Sequence, residues 1–181
     1  MPRIHISGFP RIGAQRELKF ALESFWRGAT PASALEDTAA HLRARHWTQQ
    51  QRAGLDFLCA GDFALYDQML DHCLLFGALP ARFGFDAAQI TLAEQFALAR
   101  GNAAQPALEM TKWFDTNYHY LVPELAADTH FALHPERLFA QIDAAAQRGL
   151  PVKPTLIGPL TFLWLAKSVT PGFDRLAHLP A

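Results

Sequence analysis

The chain has 181 residues, 16 Lys and Arg against 17 Asp and Glu, and a formal net charge of −1. Near-neutrality argues against sequence-independent nucleic-acid binding, which needs a basic surface, and 50% hydrophobic against 18% charged residues excludes disorder. The length suits one ordinary domain and falls short of the roughly 250 residues of a complete (β/α)8 barrel.

In chain order, residues 3–7 alternate polar and apolar and predict a short strand, followed by a Gly- and Pro-marked loop at 8–13. A helix fits 15–27, with Leu18, Leu22, Phe25 and Trp26 on one face and Lys19, Glu23 and Arg27 on another. Thr30-Pro31 opens a second helix, with Thr30 as N-cap and Pro31 in the first turn, or with Ser33 and Glu36 as an alternative capping box. Leu35, Ala39, Leu42 and His46 step along its inner side, and Gly54 ends it.

Residues 55–60 read as a buried strand, 66–76 as a helix, 81–86 as a loop and 92–100 as a helix stopped at Gly101. Residues 134–148 read as a helix with Leu138, Ile142 and Ala145 inward; 152–157 read as a strand, and 160–167 as a further helical piece. Alternating strands and helices predict an α/β fold with a parallel sheet, whose ligands gather at the carboxyl ends of strands.

Three clusters could carry chemistry. The densest is Glu109-Met110-Thr111-Lys112-Trp113-Phe114-Asp115-Thr116-Asn117-Tyr118-His119-Tyr120, which fits neither a helical nor a strand period. A packed loop of aromatic faces and polar groups suits a flat, partly polar ligand; the plainer alternative is an irregular connection with core aromatics and solvated charges. Arg16 and Lys19 share a face at a helix start, where cations and free N–H groups attract carboxylates or phosphates, against the plainer reading of a solvated first turn. Asp62, with Tyr66 and Asp67 behind it, sits where a strand would end, and reads equally as an N-cap of the next helix.

Cys59 and Cys73 make no disulfide framework, and no Cys-x-x-Cys is present, so no metal site is expected from this chain alone. There is also no P-loop and no GxGxxG. The first residues are too polar for a signal peptide and no segment is apolar enough to span a bilayer, so the expectation is a cytoplasmic protein without membrane or nucleic-acid partners.

Gly8-Phe9-Pro10-Arg11-Ile12-Gly13, then Arg16-Glu17-Leu18-Lys19, then the twelve residues from Glu109 to Tyr120 strongly resemble cobalamin-independent methionine synthases. Leu42-Arg43-Ala44-Arg45-His46-Trp47, Gly61-Asp62-Phe63 and Ile157-Gly158-Pro159 agree in order, so the resemblance runs from about Ile6 to Leu176. It implies two face-to-face (β/α)8 TIM barrels, of which residues 1–181 are the first, incomplete part of the N-terminal one. It also implies transfer of the N5-methyl of 5-methyltetrahydropteroyltriglutamate to homocysteine, making methionine without cobalamin.

In such enzymes zinc holds homocysteine as a thiolate and an acid protonates N5. The resemblance puts zinc ligands, homocysteine site and acid in the C-terminal barrel, absent here, so no catalytic or metal residue is expected in this chain. It assigns folate-tail binding to Arg16, Glu17, Leu18, Lys19 and Lys112, with Asn117 as neighbour. Cations suit a string of carboxylates, and Trp113 or Tyr118 offers a stacking face. The isolated chain is expected to be inactive in methyl transfer; the alternatives are a stand-alone folate-binding module and a non-functional truncated fragment.

Overall fold

The computed structural model describes residues 2–180. In chain order its elements are α1 (Glu17–Trp26), α2 (Ala32–Arg52), β1 (Leu58–Ala60), α3 (Gln68–Leu75), α4 (Leu92–Arg100), β2 (Met110–Lys112), β3 (His119–Leu121), β4 (Glu124–Leu125), α5 (Glu136–Ala146), β5 (Val152–Pro154), α6 (Pro159–Leu165) and β6 (Lys167–Ser168). Short 3-10 turns cover Ala81–Phe83 and Arg175–His178. The chain divides into two compact units, one of Met1–Leu65 with Glu136–Leu156, the other of Tyr66–Pro135 with Ile157–Ala181.

In the first unit α1 packs on α2, burying Leu18 and Leu22. The inner side of α2 is the one its spacing predicts: Leu35, Ala39, Leu42 and His46 are buried, joined by Trp47 and Gln50. Its start differs from expectation. Pro31 is itself the N-cap in extended conformation, neither Thr30 nor Ser33 caps it, and the exit is the left-handed Gly54 (φ +79°).

Strand β1 pairs in parallel with β5, Leu58 opposite Val152 and Ala60 opposite Pro154. Successive residues of such a strand bond to opposite sides. Leu58 N donates to Pro151 O and Ala60 O accepts from Thr155 N, on the β5 side. The groups of Cys59 are met by side chains of α2 instead: Gln50 Oε1 accepts from Cys59 N at 2.9 Å and Trp47 Nε1 donates to Cys59 O at 2.8 Å. Trp47, Leu58, Ala60 and Ala145 form the core beneath, with Ile142 and Val152 against it.

Residues 3–7 form no strand. Their backbone is spent on single ties: Ile4 N donates to Asp56 Oδ2, Ile4 O accepts from Asp56 N, and Ser7 O accepts from Thr155 Oγ1. One carboxylate and one hydroxyl replace the ladder that alternation predicts.

In the second unit Asp67 caps α3, and α4 begins with a reciprocal capping box between Thr91 and Glu94. Strands β4 and β6 pair in parallel. The aromatic segment read as aperiodic is an antiparallel hairpin, with Met110 opposite Leu121 and Lys112 opposite His119. Three-residue strands are too short to show a period, and all of β2 is exposed, so it has no alternation to read. The core is Met69, Cys73, Tyr120, Leu125 and Phe162 on one side of α3, and Leu70, Leu74, Leu98 and Leu121 on the other. The architecture is thus mixed α/β, with two parallel strand pairs and one antiparallel hairpin among the described residues.

Candidate functional site

The sequence-predicted binding residues fall into two groups, one in each unit: Arg16, Glu17, Leu18 and Lys19 at the start of α1, and Lys112 and Asn117 on the hairpin.

The first group sits on a constrained turn. Gly13 has φ +88°, and a Cβ there would collide with the Glu17 carboxylate and Leu42. Arg16, the N-cap of α1, is left-handed at φ 61°, a conformation that strains a residue with a Cβ. Arg16 N donates to Gly13 O at 3.1 Å and Leu18 N to Ile12 O at 3.1 Å.

Glu17 is turned back on the protein: Oε2 accepts from Gln15 N at 2.9 Å and Oε1 from Arg45 Nη1 at 2.7 Å. The hydrogen bond from Arg45, with backbone N–H donors at the helix start, holds the carboxyl down at about 2. Leu18 is fully buried, so its side chain anchors the turn. Lys19 lies 3.5 Å from Glu23, an exposed pair worth little. Arg16 is exposed, and its guanidinium has no ion-pair or hydrogen-bond partner among the described residues.

Behind this turn, Asp62 Oδ2 accepts from Phe9 N at 2.7 Å. It therefore ties down the Gly8–Gly13 loop and is not the cap of the following helix, a task that falls to Asp67. His46 packs against the Phe9 ring at 4.7 Å, and burial pushes its pKa below the ordinary histidine value.

The second group stands on the hairpin. Lys112 and Asn117 are both exposed, and Asn117 O lies 3.0 Å from His119 Nδ1. Trp113 N donates to Tyr118 O at 2.7 Å, and both Thr116 N and Thr116 Oγ1 donate to Trp113 O. Phe114 is left-handed at φ 48° and exposed. The Trp113 ring meets Phe114, Tyr118 and Tyr120 edge-on at 5.6, 6.4 and 5.6 Å.

At the foot of the hairpin Lys167 pairs with Glu109 at 3.1 Å and Glu124 at 3.5 Å, while Arg82 grips Glu124 through Nε and Nη2. Sequence reasoning left Asp67 without a role. It is buried, and it accepts from Tyr118 Oη and Leu121 N, residues more than fifty positions away that no local pattern marks.

Neither thiol is poised to bind a metal. Burial pushes Cys59 up to about 11 and raises Cys73 well above the usual thiol range. No three His, Cys, Asp or Glu side chains converge to hold an ion among the described residues. The described residues offer no ligand set that fits the zinc implied by the family resemblance.

The described residues form a mixed α/β segment with both cysteines buried and with Arg16 and Lys112 exposed. The family model described as "Cobalamin-independent synthase, N-terminal domain" matches residues 3–181, and the chain belongs to that family. It is 65% identical over 180 residues to the 5-methyltetrahydropteroyltriglutamate–homocysteine methyltransferase of Paraburkholderia xenovorans strain LB400, covering 99% of this chain and 24% of that protein. Proteins of the same name from Ralstonia pickettii strain 12J and Burkholderia pseudomallei strain K96243 are 57% and 56% identical over 183 residues, again covering 99% of this chain and 24% of each. The chain spans about a quarter of the length of the curated relatives it matches. Among the described residues no helix is long and apolar enough to cross a membrane.

Proposed function

We propose that this chain supplies binding groups for the triglutamate tail of 5-methyltetrahydropteroyltriglutamate, within a cytoplasmic methyltransferase that passes the N5-methyl to homocysteine to make methionine. The observation that carries this reading is the disposition of charge at the start of α1. Arg45 and backbone amides engage Glu17, so the local carboxylate is already neutralised, while Arg16 is exposed and without a partner among the described residues. A guanidinium in that state accepts a carboxylate through its two-pronged fork. Lys112 adds a point charge, and the Asn117 amide can donate to and accept from polar edges. Glu17 and Leu18 act by shaping the turn.

These are binding roles; the chemistry of methyl transfer is assigned to parts of the enzyme beyond this segment. We read the segment as the first part of a TIM barrel, on the parallel pairing of β1 with β5 and of β4 with β6.

The test is calorimetric titration of the purified chain with the methylated folate as triglutamate and as monoglutamate. The triglutamate should bind more tightly and lose affinity as salt rises. Arg16→Ala and Lys112→Ala should each weaken it about tenfold, the scale of one charge-assisted hydrogen bond. Equal affinity for the two ligands, or no binding, would refute the assignment, and methyl transfer by this chain alone would overturn its restriction to binding.

A further inference from the structure

We propose that Asp67 is a positioning residue that fixes the β2–β3 hairpin so that Lys112 and Asn117 are held ready for the ligand tail; this rests on the binding reading above. A helix cap needs one acceptor, and Asp67 provides it by accepting from Leu70 N at 3.0 Å. The same carboxylate also serves the hairpin. Oδ2 also accepts from Leu121 N at 3.1 Å, and Oδ1 accepts from Tyr118 Oη at 2.6 Å.

These two ties lie beside the candidate binding groups. Leu121 is the last residue of β3 and Tyr118 immediately precedes that strand. Lys112 pairs across to His119, between the two anchored positions, and Asn117 adjoins Tyr118. A hairpin with three-residue strands and one wholly exposed strand is marginal by itself. It also carries the left-handed Phe114, a conformation that persists only where the surroundings enforce it. A carboxylate only 3% exposed, fixed to the start of α3, is a rigid point from which to hold it.

The separating variant is Asp67→Ser, because serine is itself a good N-cap but is too short to reach Tyr118 and Leu121 as well. Amide exchange is expected to rise at Trp113, whose N–H closes the hairpin loop, and to stay unchanged at Asp71 in α3. Affinity for 5-methyltetrahydropteroyltriglutamate should fall about tenfold. In the Asp67→Ser background, Lys112→Ala should then cost much less than in the unaltered chain, whereas Lys19→Ala should cost the same. Tyr118→Phe, which leaves the cap and the Leu121 bond in place, should act in the same direction and less strongly, and it serves if Asp67→Ser does not fold.

Unchanged exchange at Trp113 in both variants overturns the proposal. So does a cycle in which the Lys112 and Lys19 effects both persist or both shrink, the mark of a general structural role. An unaltered chain that fails to bind the triglutamate instead refutes the binding reading, and a control without any substitution makes that failure separately visible.

Discussion

Replacing Gln50 by Met removes the acceptor that meets the Cys59 N–H and keeps the length of the side chain. Gln50 is 2% exposed and Cys59 is 1% exposed, so water cannot take the vacated place. The 2.9 Å bond from Cys59 N to Gln50 Oε1 is lost, and a thioether is too weak an acceptor to replace it. An unsatisfied buried donor costs about 1–3 kcal/mol, partly offset by the easier burial of methionine, so a net loss of about 2 kcal/mol is expected. For a chain of this size that corresponds to a fall of roughly 4–8 °C in melting temperature. Urea unfolding should show a lower midpoint at unchanged slope, and amide exchange at Cys59 should accelerate far more than at Leu58, whose N–H donates to Pro151 O. A loss below about 0.5 kcal/mol, the size of a surface substitution, or unaltered exchange at Cys59 would show that α2 does not complete the outer side of β1.

Three more outcomes are expected. His72 accepts from Ile157 N at Nε2, its Nδ1 donates to Gln68 O, and burial lowers its pKa from the ordinary 6.5, so the unfolded chain takes up a proton first as pH falls. Stability should therefore be full above about pH 6.5 and decline below it, by urea titration at several pH values, and His72→Gln should flatten that slope. The Glu17 carboxyl should titrate near 2 by carbon NMR and move up toward the ordinary 4.5 in Arg45→Ala, with its stabilising contribution present above 4.5 and lost as pH falls through about 2. Both cysteines should resist a thiol reagent at pH 8 in the folded chain and react once urea unfolds it; fast labelling of either in the native state would contradict their burial.

Helices were legible because each shows a face of its own making. The spacing of Leu35, Ala39, Leu42 and His46 identifies the buried side of α2, and residues 92–100 coincide with α4. Caps were less legible: the box expected at Ser33 and Glu36 does not form, and the one that forms, Thr91 with Glu94, was not singled out. Strands were harder, because residues 3–7 alternate yet bond to the Asp56 side chain, and the exposed β2 does not alternate at all. In the candidate site, the charges of Arg16, Lys19 and Lys112 are visible locally. What sets them is not: Glu17 meets Arg45 across 28 positions, and Asp67 meets Tyr118 across 51. Such ties are made by the fold and leave no periodic trace.

Among the described residues, Arg16 and Phe114 are the non-glycine positions with left-handed backbone, and each lies in a segment that carries candidate binding cations. Glycine at either position would relieve about 1 kcal/mol of strain. A screen that rewards melting temperature alone would therefore enrich glycine at both, deleting one guanidinium outright and loosening the turn beside Lys112. Under the proposed binding role, thermal robustness and tail recognition pull these two positions in opposite directions, and a laboratory evolution of this chain must select for both at once to keep the second.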